Sequence, residues 1–272
     1  MEVNNNLNRL PHEVLVFVLA QVDPSDTRNF SCVSKDLRGF MRNHGRIVAK
    51  ERMYVHGMLE IAASYGFHDV VRRLLDREDK TFGANALNQA LIRASENGRL
   101  EVVRLILDRG AGVADDDEYA LCLASENGHL EVVRLLLDRG ADVAADRNCA
   151  LRWASANGHL EVVRQLLDRG ADVAAFDNSA LRWVSVNGHL EVVRLLLNRG
   201  ADVDADDEYA LRWASQNGHL ETVRQLLDRG ANVSADDNHA LRLASENGHL
   251  EIVRLLLDRG ADVDAAYNLA LR

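Results

Sequence analysis

The sequence is poor in several residue types, and each shortage excludes something. Two prolines occur in 272 residues, Pro11 and Pro24, so beyond residue 24 no helix is broken by a missing backbone N–H. Three cysteines, Cys32, Cys122 and Cys149, are too few for a disulfide framework and show no CxxC spacing. The longest apolar run, residues 14–20 (VLVFVLA), is about a third of the roughly 20 residues that span a bilayer. The opening MEVNNNLNRL lacks the charged-then-apolar order of a secretory signal. An intracellular protein, cytoplasmic or nuclear, is expected. Aromatic residues make up 5% of the chain, but the hydrophobic fraction of 47% is ample for a core, so disorder throughout is excluded.

Basic charge is also short where it would matter for nucleic acid. The net charge is −10, and it is unevenly spread. Residues 1–58 hold 8 Lys and Arg against 6 Asp and Glu, whereas residues 59–272 hold 24 against 36. A surface this acidic cannot displace counterions from phosphates, and it is repelled by anionic lipid. Neither nucleic acid nor membrane is an expected partner. Lysine is confined to Lys35, Lys50 and Lys80, and residues 81–272 carry arginine alone. Two explanations fit. Coding bias is one; the other is selection against reactive primary amines in this part of the chain.

What is present is repetition. Leu91, Leu121, Leu151, Leu181, Leu211, Leu241 and Leu271 recur every 30 residues, and two glycine series, from Gly98 to Gly248 and from Gly110 to Gly260, keep the same interval. In the unit 151–180, Leu151 and Ala154 mark one face of a short helix ending at Asn157-Gly158. Leu160, Val163, Leu166 and Leu167 form the apolar stripe of a second helix. Each helix is followed by glycine, where a left-handed residue commonly ends a helix. Glu161 and Arg169 sit where the helix dipole favours their charges. The segment ADVAAFDNS is a turn-rich loop whose Asp and Asn suit N-caps. One such helix pair cannot bury its apolar face alone, whereas stacked pairs can.

These residues resemble an ankyrin repeat: NGHLEVVRLLLDRGADV (127–143) is similar to the second helix and following turn of that family, and it recurs with few changes. The resemblance covers residues 59–272 and implies an all-α, ankyrin-type α-solenoid of seven helix pairs. The predicted units are a degenerate 59–90, then 91–120, 121–150, 151–180, 181–210, 211–240 and 241–270, within an array over 53–272. The family's usual unit has about 33 residues and opens with Thr-Pro-Leu-His; here the corresponding residues are Ser179-Ala180-Leu181-Arg182, three residues are missing before Leu181, and shortened fingers are expected. Leu271-Arg272 open a further unit, and the last pair, around Ile252, Leu255 and Leu256, looks like an interior one rather than a polar cap.

Residues 1–52 form a separate small segment. Val14, Leu15, Val18 and Leu19 make an apolar helical stripe opened by Pro11. A three-helix cap over the first repeat is one reading. The stretch also resembles an F-box, which carries Leu10-Pro11, an apolar helix, Pro24-Ser25-Asp26 and Val33-Ser34-Lys35; Leu37 stands where that family commonly has tryptophan. The resemblance implies that Leu10, Pro11, Val14, Leu15, Val18 and Leu19 contact a Skp-type adaptor subunit of a ubiquitin ligase.

No catalytic residue, cofactor or metal is expected. His129, His159, His189, His219 and His249 occur once per unit, and stacked helices lie about 8–10 Å apart, too far for such residues to share one zinc ion. They are expected to serve the inter-helix turn. Cys122 and Cys149 are expected to be small packing residues. The protein is therefore read as a protein-interaction module, a substrate adaptor, with a plain ankyrin scaffold or inhibitor as the alternative.

In the repeats, the positions that break the pattern are the candidates for binding. By resemblance, the fingers and first helices line a concave face that would hold a client protein. The position after each Ala-Ser varies: Glu96, Glu126, Ala156, Val186, Gln216 and Glu246. In the fingers, Tyr119, Phe176, Tyr209 and His239 stand out. Trp153, Trp183 and Trp213 share one register of the first helix. Inter-repeat packing accounts for the tryptophans, and a half-exposed aromatic strip is the alternative. With the acidic fingers, such a strip would favour a basic client with an apolar anchor. Neutral drift at exposed sites is the alternative account of the varied positions.

Overall fold

The structure is a computed structural model that describes residues 52–76, 82–111 and 118–263. The F-box-like segment, with Leu10, Pro11, Val14, Leu15, Val18 and Leu19, lies outside the described residues, as do Glu78 and Leu271. Among the described residues there are fourteen helices and no strand. In chain order they are α1 (Arg52–Tyr65), α2 (His68–Leu75), α3 (Ala84–Glu96), α4 (Leu100–Asp108), α5 (Glu118–Glu126), α6 (Leu130–Asp138) and α7 (Ala145–Ala156). They continue with α8 (Leu160–Asp168), α9 (Ala175–Asn187), α10 (Leu190–Asn198), α11 (Ala205–Gln216), α12 (Leu220–Asp228), α13 (Ala235–Glu246) and α14 (Leu250–Asp258). Seven helix pairs result, as the period requires. The helix α1 starts seven residues before Leu59, where the sequence places the first unit.

The chain divides into two compact units, Met1–Ala120 and Leu121–Arg272. In the first, α1 packs on α3 and α2 on α4. In the second, the odd-numbered helices α7, α9, α11 and α13 lie side by side in one layer, and α6, α8, α10, α12 and α14 form the layer beneath. Between the layers run the repeated apolar residues. Leu151, Leu181 and Leu211 are 1% exposed, and Leu136, Leu166, Leu196 and Leu226 are fully buried. At ~1.5–3 kcal/mol for each buried leucine, this shared layer outweighs anything one pair supplies alone. Ala154 and Ala214 are fully buried as well, and their small side chains let the first helices approach closely.

The three-residue shortening is absorbed by an unusual finger. In the 151–180 unit's entry, Asp146, Arg147 and Asn148 have φ of 41°, 54° and 58°. Phe176, Asp177 and Asn178 repeat this at 53°, 54° and 53°, and Asp236, Asp237 and Asn238 at 47°, 53° and 58°. Each finger is thus one turn of left-handed helix, followed at once by the right-handed first helix. A left-handed residue other than glycine costs roughly 1–2 kcal/mol, so the turn needs support from elsewhere. The asparagines provide part of it. Asn148, Asn178 and Asn238 are buried, and their Oδ1 atoms accept from the backbone N–H of Asp172, Asp202 and Asp262, in the next finger, at 2.8–2.9 Å. The finger's Asp and Asn therefore do not cap helices as expected. Asp142, Asp172, Asp202 and Asn232 instead close tight turns onto the N–H two residues on, at 2.9–3.1 Å.

Two further side chains bond to a neighbouring unit rather than to their own. Arg169 lies beyond the last turn of α8, and its guanidinium reaches Asp138 of the preceding unit at 2.5 Å. Arg199 and Arg259 make the same step to Asp168 and Asp228 at 2.7 Å. Histidine behaves likewise. His159 Nε2 donates to the carbonyl of Glu126 at 2.8 Å, His219 to Val186 at 2.9 Å and His249 to Gln216 at 2.8 Å. The histidines thus join consecutive units, where the sequence had them serving a turn within one.

Candidate protein-binding surface

The first helices α7, α9, α11 and α13 each carry, just after the left-handed turn, an arginine whose role the sequence does not disclose. Arg152, Arg182, Arg212 and Arg242 each donate to a carbonyl of their own left-handed turn, at Asp146, Phe176, Asp206 and Asp237, over 3.0–3.3 Å. Arg182 also pairs with Asp206 of the next finger, and Arg212 with Asp236 at 3.1 Å. Where Asp206 and Asp236 stand, the preceding finger has Phe176, and Arg152 lies over its ring at 5.3 Å. This arginine fork ties each finger to the helix behind it. Its partners lie 24 residues apart, the arginine on one first helix and the aspartate in the finger that leads to the next, so a reading of one helix pair overlooks it.

Around these forks lies a row of aromatic rings. Trp153 and Trp183 are 47% and 48% exposed, and Phe176 is 45% exposed beneath both Arg152 and Arg147. Trp213 is half-buried against the Tyr209 ring, 5.6 Å between centroids, and Arg182 sits over Tyr209 at 5.3 Å. Tyr119, in the first unit, is 66% exposed. Trp153 and Trp183 therefore keep about half of their surface open to solvent, whereas Trp213 is packed against Tyr209.

The varied positions behave differently. Ala156 is buried and offers no side-chain surface, which removes it as a contact residue. Glu126, Val186 and Gln216 are half-buried, and Glu246 is exposed. What these positions share is the main chain. The carbonyls of Glu126, Ala156 and Val186 accept from the side-chain amides of Asn157, Asn187 and Asn217 at 2.7–3.0 Å. A carbonyl is indifferent to its side chain, so free variation there follows without any binding role.

Part of the finger charge is paired at the surface. Asp146, Asp206 and Asp236 are engaged by Arg152, Arg182 and Arg212, so less negative charge faces outward. At Asp236 the half-buried His239 adds a bond, Nδ1 to Oδ2 at 2.6 Å. That bond, assisted by Arg212 and opposed by slight desolvation, holds the Asp236 carboxyl below its ordinary value. No group of three or more His, Cys, Asp or Glu among the described residues could hold a metal ion. No described helix is long and apolar enough to cross a membrane.

Cys122 and Cys149 are both buried, as packing residues would be, but they also meet. Their Cα atoms are 5.7 Å apart and their sulfurs form a disulfide. Nothing in their spacing of 27 residues signals this pairing.

Two-layered stacks of helix pairs with a variable, aromatic-lined edge define a protein-interaction module. Residues 94–177, 144–207 and 181–267 match the ankyrin-repeat family in three copies, and residues 7–48 match the F-box domain. The chain belongs to the ankyrin-repeat family and carries an F-box domain at its N-terminal end. A search of curated proteins returned no match.

Proposed function

We propose that the chain is a non-catalytic substrate adaptor of a Skp–cullin–F-box ubiquitin ligase. The observation that carries this reading is the joining, in one chain, of an F-box match over residues 7–48 to ankyrin repeats over residues 94–267. Leu10, Pro11, Val14, Leu15, Val18 and Leu19 dock the Skp-type subunit. The client lies along the fingers and first helices of the second unit, against Trp153, Phe176, Trp183, Tyr209, Trp213 and His239. Rigid, half-exposed aromatic rings are well suited to burying an apolar anchor, and tryptophan and tyrosine are enriched among residues that dominate interface energies. Three finger aspartates, Asp146, Asp206 and Asp236, are already paired with arginine, which lessens the pull on a basic client.

Co-purification with a Skp-type subunit tests the docking half. Capture by the full chain, lost on combining Leu15→Asp with Leu19→Asp, is the expected result. Capture retained in the double variant overturns the docking surface. Client binding that survives with no Skp-type capture by the unmodified chain identifies a scaffold or inhibitor instead. Trp183→Ala tests the other half: affinity for a captured client falls while the thermal midpoint holds, and the reverse outcome returns Trp183 to packing.

A further inference from the structure

Within the second unit the arginine fork fails at one register, and a different bond stands there. Cys122 occupies the position filled by Arg152, Arg182, Arg212 and Arg242 in the following units. A cysteine cannot reach a finger carbonyl or the next finger's carboxylate. Asp146, which the preceding fork would hold, is taken up instead by Arg152 at 3.6 Å. The partner of Cys122 is Cys149, the residue directly after the left-handed turn 146–148, where other units have Tyr119, Ser179, Tyr209 or His239. Both cysteines are 6% exposed, and 5.7 Å between Cα atoms is within the range that a disulfide bridges.

We propose that Cys122–Cys149 is a redox-operated clamp that replaces the arginine fork at this junction. A low-molecular-weight disulfide such as glutathione disulfide closes it. One cysteine thiolate attacks that disulfide and expels a thiolate, and the second cysteine then displaces the other; two thiols are oxidised as one disulfide is reduced. Closure fastens α5 to the start of α7. That is one turn from Trp153 and next to Asn148, which holds the following finger through Asp172. Reduction leaves this the one finger, of those entered by α7, α9, α11 and α13, held by no side chain at the fork position of the unit before it. The clamp itself is independent of the ligase reading; only its effect on a client rests on that reading.

The test uses the full chain, fully reduced and then equilibrated with glutathione disulfide. Alkylation before and after reduction, read by mass spectrometry, counts the thiols. The expected result is one crosslinked pair, Cys122 with Cys149, with Cys32 still alkylated, and a thermal midpoint several degrees higher when oxidised. Cys149→Ser, which installs the residue found at position 179, should abolish the oxidative shift. Cys122→Arg should abolish it too, yet melt above Cys122→Ser, because an arginine there can grip the finger ahead as Arg182 and Arg212 do. Three alkylated cysteines after oxidation, or a midpoint indifferent to reductant, overturns the clamp. Equal melting of Cys122→Arg and Cys122→Ser overturns its equivalence to the fork.

Discussion

The imidazole of His189 fills the space where a Cβ on Gly158 would lie, with Nδ1 2.6 Å from that position. Gly158 also has φ of 77°, so two separate constraints converge on it. The glycine ending the second helix, Gly170, has φ of 92° and nothing within 4 Å of its would-be Cβ. Gly170→Ala should therefore lose only the backbone preference, ~1–2 kcal/mol. Gly158→Ala should lose that and displace the ring as well. Thermal unfolding of the two variants checks this; equal losses would show that His189 moves aside freely.

The left-handed fingers give a prediction of opposite sign. Asp177 is exposed at φ 54°, and no side-chain bond holds it. Asp177→Gly removes the steric cost of that φ and gains flexibility only in the unfolded chain. A net gain of about 0.5–1 kcal/mol is expected, read as a rise of a few degrees in midpoint. Asn178→Ala, in contrast, removes the acceptor for the Asp202 N–H and should destabilise by about 0.5–1.5 kcal/mol, the net worth of one hydrogen bond. If Asp177→Gly lowers the midpoint, the left-handed turn is not the strained element described above.

These fingers mark the limit of what the sequence reveals. The period of 30, the burial of Leu151, Ala154, Val163 and Leu166, and the glycines after each helix follow from apolar spacing and from the need for a left-handed residue, so they were legible. Three successive left-handed residues that are not glycine were not legible, because each is disfavoured on its own. Their supports include Asn178 and Arg182, which also bond to Asp202 and Asp206, 24 residues on. The same applies to Arg169 and His159, bonded 31 and 33 residues back. A repeat shows what every unit contains; it does not show which contacts close within a unit and which cross to the next. The half-exposure of Trp153 and Trp183 falls in this second class.

Acid stability should carry a signature of His239. The His239 bond holds the folded-state pKa of Asp236 below its ordinary 3.8. A carboxylate with a lowered folded value stabilises fully above its unfolded pKa and loses that contribution as pH falls through the folded one. His239→Ala should thus lower the midpoint near pH 5, and the gap from the unmodified chain should close as pH drops below about 4. Because the pair is largely exposed, the gap should also narrow in high salt. A gap that widens on acidification would contradict this assignment.

The absence of lysine from residues 81–272 can be tested where arginine is not structurally required. Arg164 and Arg224 each make one contact, Nε to Glu161 or Glu221 at 3.5 Å, on side chains 46% exposed. An ammonium serves there as well, and lysine forms helix as readily as arginine. Arg164→Lys and Arg224→Lys should change stability by less than about 0.5 kcal/mol. Arg182→Lys should cost more, because its guanidinium serves both the Phe176 carbonyl and Asp206. If the array is kept free of acceptors because it is held near a ubiquitin-transfer site, the two tolerated variants become substrates. In a ligase reconstituted with a Skp-type subunit, each new ε-amine attacks the ubiquitin thioester, expels the thiolate and loses a proton to give an isopeptide. Conjugates mapped to positions 164 and 224 are the expected outcome. A stable, adaptor-bound double variant that stays unmodified there would leave coding bias as the explanation for an arginine-only array.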